Sequence, residues 1–152
     1  MGMNKLVQWF KNFFTNFENV YSMRDDCHMN LVDIRSNLCK QFPDAMIYVT
    51  DDTPYLIYKD DMIKVANILN LHRVKKFIAE KRDCDDYAFV LKGRMSRFYG
   101  NYAFGIVFTH TEKGNHALNC FLDHTGRFNY LEPQTNQIFR TKKGYKPYLI
   151  VI

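Results

Sequence analysis

The chain has 152 residues, a formal charge of +5, 47% hydrophobic and 16% aromatic side chains. That is one domain's worth of sequence with ample apolar surface for a core, which excludes wholesale disorder. No apolar run reaches the roughly 18 residues that span a bilayer. A single domain over residues 1–152 is expected, with a helical part over about 1–75 and a second part over about 77–152.

From the N-terminus, Leu6, Phe10, Phe13, Phe14, Phe17, Val20 and Tyr21 recur at helical spacing and predict an amphipathic helix for the core or for self-association. The start lacks a continuous signal core and a cleavage site, and Leu6 stands where a myristoylation signal wants Ser or Thr. Cys27, Cys39, Cys84 and Cys120 are dispersed, without a Cys-x-x-Cys pair. Reduced thiols in a soluble cytoplasmic protein are therefore expected. Cys27-His28 are adjacent, a poor spacing for one zinc ion. The basic pairs Lys75-Lys76, Lys81-Arg82, Arg94/Arg97 and Lys142-Lys143 are scattered and read as solvated faces; no nucleic-acid motif accompanies them.

A second helix is predicted from Asn30 to Gln41 through Leu31, Ile34 and Leu38, ended by Phe42-Pro43. Ile47-Tyr48-Val49 reads as a short extended piece before the turn Asp51-Asp52-Thr53-Pro54, and Asp60 or Asp61 caps a third helix to about Asn70. Asp83 then caps a helix whose apolar face runs through Tyr87, Ala88, Val90, Leu91 and Met95, so Cys84 falls in its first turn. Unpaired backbone N–H groups and the helix dipole at that position favour a thiolate. Beyond Gly100 the period becomes two. Tyr102–Thr109, His116–Leu122, Phe128–Leu131 and Tyr148–Ile152 read as strands, with turns at Glu112-Lys113-Gly114 and His124-Thr125-Gly126. Helices followed by strands predict an α+β fold: N-terminal helices and a central Cys-bearing helix packed on a C-terminal antiparallel sheet.

A cysteine in a helix start, a histidine on a strand and a carboxylate at a strand end are the parts of thiol-based acyl transfer. The pieces Glu80-Lys81-Arg82-Asp83-Cys84-Asp85-Asp86-Tyr87-Ala88, His116-Ala117-Leu118-Asn119 and Leu131-Glu132-Pro133-Gln134-Thr135 carry a resemblance. They are similar, in order and spacing, to the papain-like, transglutaminase-like cysteine hydrolase domain at the C-terminus of the Marasmius agglutinin and its relatives. The resemblance covers Phe77 to Phe139, less than half the chain. It implies Cys84 as nucleophile, His116 as base and Glu132 as the group orienting the imidazole. It also implies amide or peptide hydrolysis, or a related acyl transfer, on a protein or peptide substrate. Gln134 and Asn119 are candidate substrate-binding residues, although Asn119 faces opposite to His116 by strand alternation. No cofactor is required; because the agglutinin domain is calcium-activated, Asp85 and Asp86 become candidate calcium ligands. Two features depart from the pattern. Ile78 stands where a glutamine oxyanion donor is expected, and no lectin sugar-binding repeat is present, so sugar binding is not implied. The contrasting reading is a non-catalytic binding module on the same fold, an accessory or viral counter-defence protein.

Overall fold

The computed structural model describes residues 21–69, 83–140 and 143–152. The helix expected over Leu6–Tyr21 and the pairs Lys75-Lys76 and Lys81-Arg82 fall outside these, Tyr21 excepted.

Asn30 is extended and its side chain accepts from the Asp33 N–H (2.9 Å), so helix α1 starts at the next residue and runs Leu31–Gln41. Phe42, ahead of Pro43, is its C-cap. Strand β1 follows at Met46–Tyr48, and helix α2 at Lys59–Leu69. Asp83 is the N-cap of helix α3, Cys84–Tyr99, and its N–H donates back to Asp86 (3.3 Å), completing a capping box. Gly100, with φ 76°, ends α3 in a conformation that side chains disfavour. Strands β2 (Phe104–Thr111), β3 (Gly114–Leu122), β4 (Phe128–Glu132), β5 (Gln137–Phe139) and β6 (Lys146–Val151) complete the described elements.

The strands form one sheet in the order β1-β6-β2-β3-β4-β5. Consecutive strands β2 to β5 are antiparallel neighbours, whereas β1 joins β6 in parallel, with Met46 opposite Leu149 and Tyr48 opposite Val151. The sheet is therefore mixed, which corrects the expectation of an antiparallel C-terminal sheet. The short apolar run at Met46–Tyr48 carries no mark of its partner, and only closure of the chain end onto it creates the pairing. Thr50 and Tyr48 hold Ile152 through backbone bonds of 2.7 and 2.9 Å. β5 was not anticipated either; three residues are too short for an alternation signal.

Both faces of the sheet are covered. Leu91 and Met95 of α3 and Met62 and Val65 of α2 pack with Phe104, Phe121 and Leu131 on one face. Ile34 and Leu38 of α1 pack with Val107, Leu118, Cys120 and Ile150 on the other. Alternation along β3 sorts its side chains between these layers: Ala117 and Asn119 toward α3, His116 and Leu118 toward the α1 side.

Candidate functional site

Three pieces build the candidate site. The first is the start of α3. Cys84 packs beside the cluster of Ala88, Ile106 and Ala117, small residues that let the helix lie close on β2 and β3. Its Sγ accepts from the Ala117 N–H at 3.4 Å. Burial pushes the Cys84 thiol above the ordinary range; the Ala117 N–H pulls it back, and Asp83 and Asp85 push it up again. The anticipated stabilisation of a thiolate by the helix start is thus outweighed by desolvation and two neighbouring carboxylates. Asp83 itself is shifted upward, first by a hydrogen bond with Asp85.

The second piece is the pair His116 and Glu132. The imidazole Nε2 lies 2.8 Å from Glu132 Oε2, with both side chains mostly shielded from solvent. Glu132 closes β4 where the chain turns into β5. Its carbonyl accepts from the Thr135 and Asn136 N–H groups, Asn136 takes φ 59°, and its Oε1 accepts from the Gln134 N–H at 3.2 Å. Gln134 therefore meets the site through its backbone, a contact that no side-chain motif encodes.

The third piece is Tyr145, whose ring stands edge-on to His116 (centroids 6.2 Å apart) and also meets Tyr130 and Phe139. Sequence reasoning missed it. It follows Gly144 (φ 84°) and lies 29 positions from His116, so only the turn into β6 brings it there.

Cys84 enters from the α3 face, while His116 and Glu132 stand with Tyr145 on the α1 side. Cys84 Sγ accepts from the N–H of Ala117, the neighbour of His116, and His116 meets the Glu132 carboxylate through Nε2. Asn119 is fully buried and donates to Ala88 O (2.9 Å) and Gly105 O (3.1 Å). Asp86 is engaged in the helix cap, and no group of three or more His, Cys, Asp or Glu side chains among the described residues could hold a metal ion. Calcium takes six to eight oxygens, so Asp85 and Asp86 alone do not make its cage.

The ricin-type β-trefoil lectin C-terminal domain family model matches residues 26–152. Among curated proteins, none matches the sequence. Two solved structures resemble the chain over 84% of its length at 22% identity. One, described as a PSL1a-E64 complex, has a TM-score of 0.74 and is covered over 52% of its own chain. The other is a Polyporus squamosus lectin bound to the human-type influenza-binding epitope Neu5Acα2-6Galβ1-4GlcNAc, with a TM-score of 0.72 and 50% of its chain covered. At that identity the likeness is one of fold, and the chain spans about half the length of either structure.

These findings correct the sequence reading. The match to a lectin C-terminal domain replaces the papain-like, transglutaminase-like identification and fold class. The cysteine-hydrolase function, with its Cys-His-Glu triad and protein or peptide substrate, falls with it. The matched family is a lectin one. The cytoplasmic assignment is withdrawn, because neither the matched family nor the structures of like fold support it.

Proposed function

Because the chain belongs to the ricin-type β-trefoil lectin C-terminal domain family, we propose that it is a non-catalytic binding module of a carbohydrate-recognising protein that works outside the cytoplasm. The observation that carries this reading is how the site's polar groups are paired. Burial raises the Cys84 thiol above its ordinary range, which disfavours a resting thiolate, and His116 Nε2 is paired with Glu132. What remains is a fixed set of groups suited to recognition: an imidazole and a carboxylate oriented by one another, the Gln134 backbone held on Glu132, and the ring edge of Tyr145. A saccharide offers hydroxyls that donate to a carboxylate and accept from an imidazole, and C–H faces that lie against an aromatic ring.

The two solved structures supply the probes, since their descriptions concern those proteins and not this chain. The full chain is titrated calorimetrically with Neu5Acα2-6Galβ1-4GlcNAc and, separately, with E64. Each titration is run in chelator and in added calcium, to test the part of Asp85 and Asp86. Saturable saccharide binding that is lost in Glu132→Gln and in His116→Ala is the expected result. Absence of binding across a glycan panel would overturn the reading. So would peptide hydrolysis that disappears in Cys84→Ala.

A further inference from the structure

We propose that Asn119 is a positioning residue for this site: by clamping α3 to the sheet it sets where the Cys84 thiol stands against β3. The inference goes beyond the reading above, since it concerns the thiol, a part of the site that reading does not use.

Asn119 is an amide at the centre of a packed interface, fully buried between β3 and α3. Burying an amide is costly unless its donors are used. Both donations are cross-element: one to Ala88 O on the second turn of α3, one to Gly105 O on β2. Ala88 lies four residues, about one turn, after Cys84. Ala117 lies two residues before Asn119, on the same face of β3. The clamp therefore joins the stretch of helix that carries the thiol to the stretch of strand whose N–H receives it. The packing around it leaves the clamp little play. Ala88 and Ala117 are essentially without exposed surface, and a Cβ on Gly105 would come within 1.9 Å of the Val151 carbonyl. An apolar residue at 119 would fill the same space but leave α3 resting on the sheet by dispersion alone, free to rise or slide by a fraction of an ångström.

The consequence is read at the thiol. From the strands, Cys84 faces Ala117, Ile106 and Phe108, none of which titrates; from its own element it faces Asp83 and Asp85. Its upward shift comes first from burial. Lifting the helix start admits water, so ionisation becomes easier even as the Ala117 N–H contact weakens.

The test uses the full chain with Asn119→Leu, which keeps the branched shape in a larger side chain and removes both donors, and Leu91→Ala as a control. Leu91 is buried on the same helix in a different cluster. Alkylation of Cys84 by iodoacetamide is followed against pH with peptide-resolved mass spectrometry, alongside Tm. In Asn119→Leu, Cys84 should react about three- to tenfold faster near pH 8, with the profile shifted to lower pH, since each unit of thiol pKa changes the thiolate fraction up to tenfold. In Leu91→Ala, Tm should fall with the Cys84 profile unchanged. An unchanged profile in Asn119→Leu, or an equal rise in both variants, makes Asn119 an ordinary core contact and overturns the proposal. Asn119→Ser, smaller and still polar, is judged by the same two criteria if Asn119→Leu does not fold. The saccharide titration is read separately: if the wild-type chain binds no glycan, the binding reading fails while the thiol profiles still decide the role of Asn119.

Discussion

The ionisation of Cys84 separates a recognition site from a nucleophile most directly, and the perturbation that exposes it is pH. An ordinary thiol titrates near 8.5, so about 3% of it is thiolate at pH 7 and about 0.1% at pH 5.5. Cys84 stands higher than an ordinary thiol, because its sulfur is packed against Ala88, Ile106 and Ala117 and sits beside Asp83 and Asp85, with the Ala117 N–H and its own N–H in compensation. Its alkylation rate should therefore climb close to tenfold per pH unit from about pH 5.5 to 8.5, roughly a thousandfold in all, with no plateau. Exposed Cys39 serves as the internal reference, and Cys84 should react more slowly than it throughout. The shape of the profile matters more than any single rate, because a low-pKa thiolate is also intrinsically a poorer nucleophile. The assay is iodoacetamide labelling of the native chain over that range, read peptide by peptide. A plateau for Cys84 below pH 7 would mean a thiolate stabilised by a cation, and would refute the argument that burial and the two carboxylates dominate.

Other outcomes follow from the same geometry. Asp61 is buried and accepts from Tyr21 Oη (2.8 Å), the Arg24 N–H (3.1 Å) and Arg24 Nε (2.9 Å). Because Arg24 is half-exposed and can rehydrate, Asp61→Ala should cost about 2–3 kcal/mol in urea unfolding; a loss below about 0.5 kcal/mol would contradict a stabilising role for these bonds. Asp61 and Asp123 are both held below the usual carboxylate range. Burial pushes each up, but Arg24 and Tyr21, and Thr125, Asn129 and Arg127, outweigh it. Their contribution is thus complete above the unfolded carboxylate value near 3.9 and lost as pH falls through the folded one, so Tm should be flat from about pH 7 to 5 and drop below about pH 4. A Tm that rises on acidification would reverse that sign. Gly105→Ala places a Cβ 1.9 Å from a backbone carbonyl that cannot yield, and should destabilise the β2–β6 pairing by about 3 kcal/mol; wild-type Tm in that variant would show that β2 and β6 are not so close. Added calcium should leave Tm unchanged, and a saturable rise lost in Asp85→Asn would reveal a site that Asp85 and Asp86 share with oxygens from elsewhere in the chain.

Much of the local structure is written in neighbouring residues. Asn30 and Asp83 mark the helix starts because a short polar side chain or carboxylate satisfies N–H groups within one turn. Gly100 stops α3 because a positive φ suits glycine, and the period-two runs after it alternate between two buried layers. Alternation alone also says that Asn119 and His116 point opposite ways. The same rule puts Ala117 on the face opposite His116, but which of the two faces α3 covers is not written in it.

The amino-acid order by itself determined where α1 and α3 begin, roughly where β2, β3, β4 and β6 lie, and which side chains of a strand share a face, because those choices depend on residues a few positions apart. Only the tertiary structure decided which face α3 covers, that β1 pairs in parallel with β6, that Tyr145 meets His116, and that burial pushes the Cys84 thiol up. Each of these rests on long-range packing, where burial and contacts between distant segments outweigh the helix-start field that local sequence advertises.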